Sequence, residues 1–162
     1  MILLGHIGIT LFFGGLFSLL FIPLLIGSIL PDLIDKPLVL FGITHYGRYI
    51  GHTLTAGVII SLILLAITRK KIVSISLFFG YLLHLIEDMP FFIPWFYPFV
   101  NYDFLTYYEF AGIITPMNIV FEIIGFVLLV YIVQKNPQIK VYITKNFKLK
   151  RRKLSSLLTN HL

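Results

Sequence analysis

The chain has 162 residues, 58% of them hydrophobic and 12% charged. That is enough for one domain, but it leaves too few polar side chains to cover a water-soluble globule of this size. The formal charge of +6 does not point to nucleic acid, because most of the thirteen Lys and Arg residues fall between Lys135 and Lys153. A basic tail beside a membrane meets anionic lipid headgroups instead. With no cysteine, disulfides and thiolate metal sites are excluded, and any metal must be held by His, Asp or Glu. The expected fold is an all-α integral membrane helical bundle of about four spans, with membrane lipids as its partners.

In chain order, the first apolar stretch runs from Ile7 to Leu30 without a charge, long enough for one span. It has no basic n-region before it, and Leu30-Pro31-Asp32 is not a small-residue cleavage site, so it is expected to stay in the mature protein. Gly14-Gly15 and Pro23 are its weak points. Either it crosses as one straight helix, or it reverses near the glycine pair as a re-entrant hairpin whose turn neighbouring spans shield. The next spans are expected at about Tyr49–Thr68 and Ile72–Ile86, separated by Arg69-Lys70-Lys71, and at Ala111–Gln134. Between the last two, Phe91–Phe110 is aromatic and broken by Pro94 and Pro98, which suits the headgroup layer. The expected domains are 1–136, embedded in the membrane, and 137–162, a basic tail.

Short cytoplasmic loops collect Lys and Arg, so Arg69, Lys70, Lys71 and the tail are assigned to the cytoplasm of a multi-pass cell-membrane protein. Asp32, Asp35, Glu87, Asp88, Asp103 and Glu109 then lie at the opposite face. Glu122 lies inside the fourth span. An ionisable side chain within a span costs about 3 kcal/mol on insertion scales and marks a functional site facing the protein interior. At 1.5 Å per residue from the basic boundary, His84 and Glu122 lie about 20 Å up, and His52 and Asp88 about 25 Å up. His84 and Asp88 are four apart on one helical face, and Asp32 and Asp35 join the same level just past the first apolar stretch. Imidazoles and carboxylates gathered at one depth are suitable ligands for a divalent cation. Each residue also has a plainer role open to it: His84 and Asp88 as a hydrogen-bonded couple, Asp32 as a helix cap, His52 as an interfacial group, Glu122 as the partner of a basic group or of Asn118.

Four motifs in order carry a resemblance: Gly5-His6; Leu30-Pro31-Asp32-Leu33-Ile34-Asp35-Lys36-Pro37; Gly47-Arg48-Tyr49-Ile50-Gly51-His52-Thr53; and Gly80-Tyr81-Leu82-Leu83-His84-Leu85-Ile86-Glu87-Asp88, followed by the aromatic segment Ile93–Phe99. Over about residues 1–100 the chain resembles the YdjM-like membrane-bound metal-dependent hydrolases, whose better-known bacterial members are LexA-regulated inner-membrane proteins. The resemblance implies His6, Asp32, His52, His84 and Asp88 as ligands of a divalent metal, zinc being the first choice. The chain departs from the family pattern in placing its second acid three residues after Asp32 rather than two. It also has Gly47 where the first His of the third motif would stand, with His45 two residues away. The His-x-x-x-Asp pair and the early Asp are also similar in ligand type to zinc-dependent phospholipase C.

The expected activity is metal-dependent hydrolysis of a lipid or lipid-linked phosphoester at the extracytoplasmic membrane face. Asp35 or Glu122 is then an orienting group or general base, and Arg48 the phosphate binder. The alternatives are a non-enzymatic ion or proton pathway and a structural or adaptor membrane protein.

Overall fold

The computed structural model describes residues 3–89, 91–104 and 116–135. The tail 137–162 and the end of the aromatic segment at 105–110 lie outside the described residues. Among the described residues the chain is all-helical, with five helices: α1 (Leu3–Leu16), α2 (Phe21–Leu40), α3 (Leu54–Thr68), α4 (Lys71–Glu87) and α5 (Pro116–Lys135). Two compact units divide it, Met1–Leu129 and Val130–Leu162. The described part of the second is the last turns of α5, where the Lys135 ammonium lies 6.0 Å from the Tyr131 ring centre.

The stretch from Ile7 to Leu30 is not one span. It is a hairpin whose turn comes a few residues after the glycine pair. Gly14 and Gly15 stay in the last turn of α1, and their carbonyls accept from the N–H groups of Phe17, Ser18 and Leu19. Ser18 takes the left-handed backbone conformation at φ 54°, and the Leu20 N–H donates to Ser76 Oγ of α4 at 2.9 Å. The neighbouring helix thus satisfies one of the backbone N–H groups that the turn leaves without an intrahelical acceptor. Asp32 and Asp35 do not follow the apolar stretch but sit within α2, which continues through both Pro31 and Pro37. The second expected span starts late as well. Tyr49–Gly51 form a loop, and α3 begins at Leu54 behind Thr53, whose hydroxyl accepts from the Ala56 N–H at 2.9 Å as an N-cap.

In the first unit α2 lies against α4 with backbone nearly touching backbone. A Cβ on Gly27 would overlap the Leu77 carbonyl, and one on Gly80 the Leu24 carbonyl. Such contacts between small residues are how helices associate where lipid gives no hydrophobic drive. Beside a small apolar core of Tyr81, Leu85 and Ile93, polar and ionisable side chains fill much of the interior while large apolar ones lie on the exterior, the reverse of a water-soluble domain. His6, Thr10, Ser28, Asp35, His52, His84 and Asp88 are buried, while Ile59, Leu62 and Ile63 of α3 and Ile119, Val120 and Ile123 of α5 are exposed. Among the described residues one helix is long and apolar enough to cross a membrane, Asn118–Lys135; Leu4–Leu16 and Leu54–Thr68 are apolar but shorter.

Candidate metal centre

The hairpin returns the start of α1 to the level of α2's acids, and α4 ends there too. His6 stacks on His84 with ring centres 3.9 Å apart, although 26 positions separate His6 from Asp32 in sequence. His84 and His52 meet with their Nε2 atoms 3.3 Å apart. The donor atoms form two groups, His6 with Asp32 and His84, and His52 with His84 and Asp88, each within 4.8 Å of one another. Asp32 Oδ1 and Asp88 Oδ2 both lie 3.6 Å from His52 Nε2.

What each imidazole does with its other nitrogen decides the chemistry. His84 Nδ1 meets the Ser28 carbonyl at 2.6 Å. A carbonyl only accepts, so Nδ1 carries the proton and Nε2 presents a lone pair. His52 Nδ1 meets Asp35 Oδ2 at 2.7 Å, which assigns the same tautomer. Two Nε2 lone pairs then face each other at a distance where they repel unless a proton or a cation lies between them. His6 Nδ1 shares a proton with Glu87 Oε2 at 2.6 Å. Its Nε2 is buried without a hydrogen-bond partner, and Asp88 Oδ1 lies 3.5 Å away. Three imidazoles fixed through Nδ1, with Nε2 turned toward two carboxylates, fit a divalent cation. Ligand atoms about 2 Å from one ion are spaced about 3–4 Å from each other.

Asp35 is fully enclosed. Its Oδ1 accepts from the Gly51 N–H at 2.7 Å, and its Oδ2 accepts from the N–H groups of Tyr49 at 2.7 Å and His52 at 3.1 Å as well as from the His52 ring. One carboxylate therefore folds the 49–52 loop and aims His52. The Tyr81 hydroxyl, also buried, donates to the Gly51 carbonyl and holds the loop from below. Arg48 is next to the cluster. Its Nε donates to Asp88 Oδ2 at 2.8 Å, and its guanidinium lies 4.4 Å from the centre of the Phe91 ring. Burial pushes the Asp88 carboxyl up, but Arg48, helped by His6, outweighs it and holds the group well below the usual carboxylate range. Asp32 pairs with Lys36 one turn on at 2.6 Å.

Residues 91–104 close over the 46–49 loop with aromatic rings. Tyr49 and Tyr97 share a hydroxyl hydrogen bond of 3.0 Å, which together with burial raises the Tyr49 phenol above its ordinary pKa. Phe104 stacks on Tyr46 at 5.1 Å. The Trp95 carbonyl accepts from the Leu54 N–H at 2.9 Å, tying this segment to the start of α3.

Of the residues singled out in the sequence, His6, Asp32, His52, His84 and Asp88 come together, with Asp35 directly behind His52 and Arg48 on Asp88. His45 is exposed and belongs to neither donor group. Glu122 is outside both groups as well. Its two oxygens accept from the backbone N–H groups of Leu4 and Gly5 at 3.1 and 3.0 Å. Sequence reasoning missed Glu87, which bonds His6 and also accepts from Thr10 Oγ1 at 3.3 Å. Its one signal was its place three residues after His84 on the same helical face. The Ser28 carbonyl gave none, since any residue carries that acceptor.

Fold and site define an all-helical protein with an apolar skin around a buried imidazole–carboxylate cluster. A family model described as "YdjM inner membrane protein" matches residues 1–147, and the chain belongs to that family. No curated protein and no solved structure matches it.

Proposed function

We propose that this chain is a multi-pass, membrane-bound, metal-dependent hydrolase acting on a lipid or lipid-linked phosphoester at the extracytoplasmic face. The observation that carries the reading is the tautomer pattern. His52 and His84 each give Nδ1 to a built-in acceptor and turn Nε2 inward beside His6, Asp32 and Asp88. Those five side chains would hold the cation, and an all-nitrogen-and-oxygen set of this kind suits zinc. A divalent cation bound there would supply Lewis acidity, making water more acidic and polarising the phosphoryl group that the water attacks.

The protein's own groups do the rest. Asp35 fixes the His52 ring and the loop behind it, and with its oxygens already engaged by four N–H donors it acts as an orienting group rather than a base. Glu87 and the Ser28 carbonyl orient His6 and His84 in the same way. Arg48, positioned by Asp88 and Phe91, brings a planar guanidinium suited to a phosphoryl group. A buried site at the end of the helices remote from Arg69-Lys70-Lys71 favours a substrate that arrives from the membrane. An ion or proton pathway would need charged groups continuing toward the basic end, yet 56–68 of α3 and 123–134 of α5 contain no Asp, Glu, His, Lys or Arg. The likeness to zinc-dependent phospholipase C rests on ligand type alone.

The test is elemental analysis of protein purified in detergent, paired with hydrolysis of vesicle-borne phosphoesters before and after chelation. Stoichiometric metal in the native chain, lost in His84→Ala together with activity, is the expected outcome. Equal metal content in the two proteins would end the reading.

A further inference from the structure

His6 is the most precarious donor in the cluster. It sits in the first turn of α1, where backbone N–H groups have no intrahelical acceptor and helices fray. The helix supplies no acid of its own in that turn. The acceptor comes from α5, more than a hundred residues away. Glu122 Oε2 accepts from the Leu4 N–H and Oε1 from the Gly5 N–H, at 3.1 and 3.0 Å, so a two-pronged carboxylate sits on the positive end of the helix. One turn further along, Gly8 faces Gly125 so closely that a Cβ on Gly8 would collide with the Gly125 carbonyl. The two helices are thus locked together at the carboxylate and again just beyond it.

We infer that Glu122 is a positioning residue for His6: by capping α1 from α5, it holds the first turn wound so that the His6 ring stays between His84 and Glu87. Glu122 lies outside both donor groups and acts through the backbone of Leu4 and Gly5, not through the reacting atoms. The same contact explains why a carboxylate is tolerated on an apolar helix. Its charge is spent on two N–H donors and a helix dipole rather than on lipid. The part of this inference that concerns cation affinity rests on the hydrolase reading; the part that concerns His6 placement does not.

Two measurements keep these apart. In the first, His6→Cys places a single thiol at a position that is 1% exposed, in a chain with no native cysteine. Maleimide labelling of that thiol in detergent should be slow. Adding Glu122→Ala should speed it at least tenfold, while a reporter at Leu77→Cys, in the body of α4, stays protected with and without Glu122→Ala. Glu122→Gln, which keeps one accepting oxygen, should give an intermediate rate, and it replaces the alanine variant if that one does not fold. Unchanged labelling at position 6 would overturn the inference, and so would equal deprotection at positions 6 and 77, which would show general loosening.

The second measurement is zinc titration of the native chain, His6→Ala, Glu122→Ala and the double variant. Glu122→Ala should weaken binding about 10–100-fold, the usual range for groups that orient a ligand, and should add nothing once His6 is gone. Additive losses would overturn the role assigned to Glu122. Absence of zinc binding by the native chain would instead overturn the hydrolase reading and leave the labelling result to decide the cap.

Discussion

The two ends of the helical unit are held together by different means. At the end near Arg69-Lys70-Lys71, α2, α3 and α4 meet through small groups. The Ser74 hydroxyl donates to the Ser61 carbonyl at 2.5 Å and Ser76 Oγ receives the turn of the hairpin, while midway along α2 and α4 Gly27 and Gly80 bring the backbones together. No charge is needed. At the other end α1, α2, α4 and the loop before α3 meet through imidazoles, carboxylates and a guanidinium, most of them buried at a cost that packing glycine and serine would avoid. The contrast separates a scaffold, which uses the least expensive contacts available in an apolar solvent, from a site whose groups are retained for their chemistry.

That division is most exposed to test at Asp35. Asp35→Ala leaves the Tyr49, Gly51 and His52 N–H groups and the His52 ring buried without their acceptor. It should destabilise the fold by about 3–5 kcal/mol, read as a lowered midpoint of thermal unfolding in detergent. Metal binding should fall with it. A variant of native stability would mean that the site end contributes nothing to the fold.

At the scaffold end Ser74→Ala removes the hydroxyl that donates to the Ser61 carbonyl and should cost about 0.5–1.5 kcal/mol. The fraction that still folds should bind zinc with native affinity, because Ser74 lies near the start of α4, more than two turns before His84. A change in affinity without loss of stability would dissolve the boundary between the two regions.

The smallest effect is expected from Lys36→Gln. This Lys36–Asp32 pair joins a largely exposed ammonium to a carboxylate one turn away, and such pairs contribute about 0–1 kcal/mol. Unfolding should barely move, while zinc affinity should rise modestly as Asp32 loses a competing cation. A large stability loss would place Lys36 in the scaffold.

Much of this arrangement was legible in the sequence. Apolar runs bounded by Arg69-Lys70-Lys71 located α4 and the body of α3, and depth counting put His52, His84 and Asp88 at one level. The hairpin was legible only as an option. A charge-free run from Ile7 to Leu30 satisfies every length criterion for a span, and the residue that makes the turn possible is Ser18, whose left-handed backbone no residue preference announces. Counted along a straight helix, His6 would lie at the opposite end, and it was the family resemblance that kept it among the ligands. The end of that stretch was misplaced too: Asp32 and Asp35 were expected just past it, yet α2 runs on through Pro31 and Pro37. Pro31 is buried, its carbonyl against Gly51; tertiary packing overrode the local preference. Glu122 shows the limit of depth arguments. Its level was read correctly, but what it meets there is backbone, which side-chain patterns do not encode.

The hairpin also fixes a matter of parity. Two arms whose free ends lie at one end of the helical unit make an even number of crossings, where hydropathy alone counts one; under the topology proposed above, the side assigned to residues ahead of α2 changes sign. A reporter fused ahead of Leu3 and another inserted at the exposed Phe41–Gly42 bend should report the same side of the membrane. Topology maps that treat the first apolar run as a single pass will place them on opposite sides.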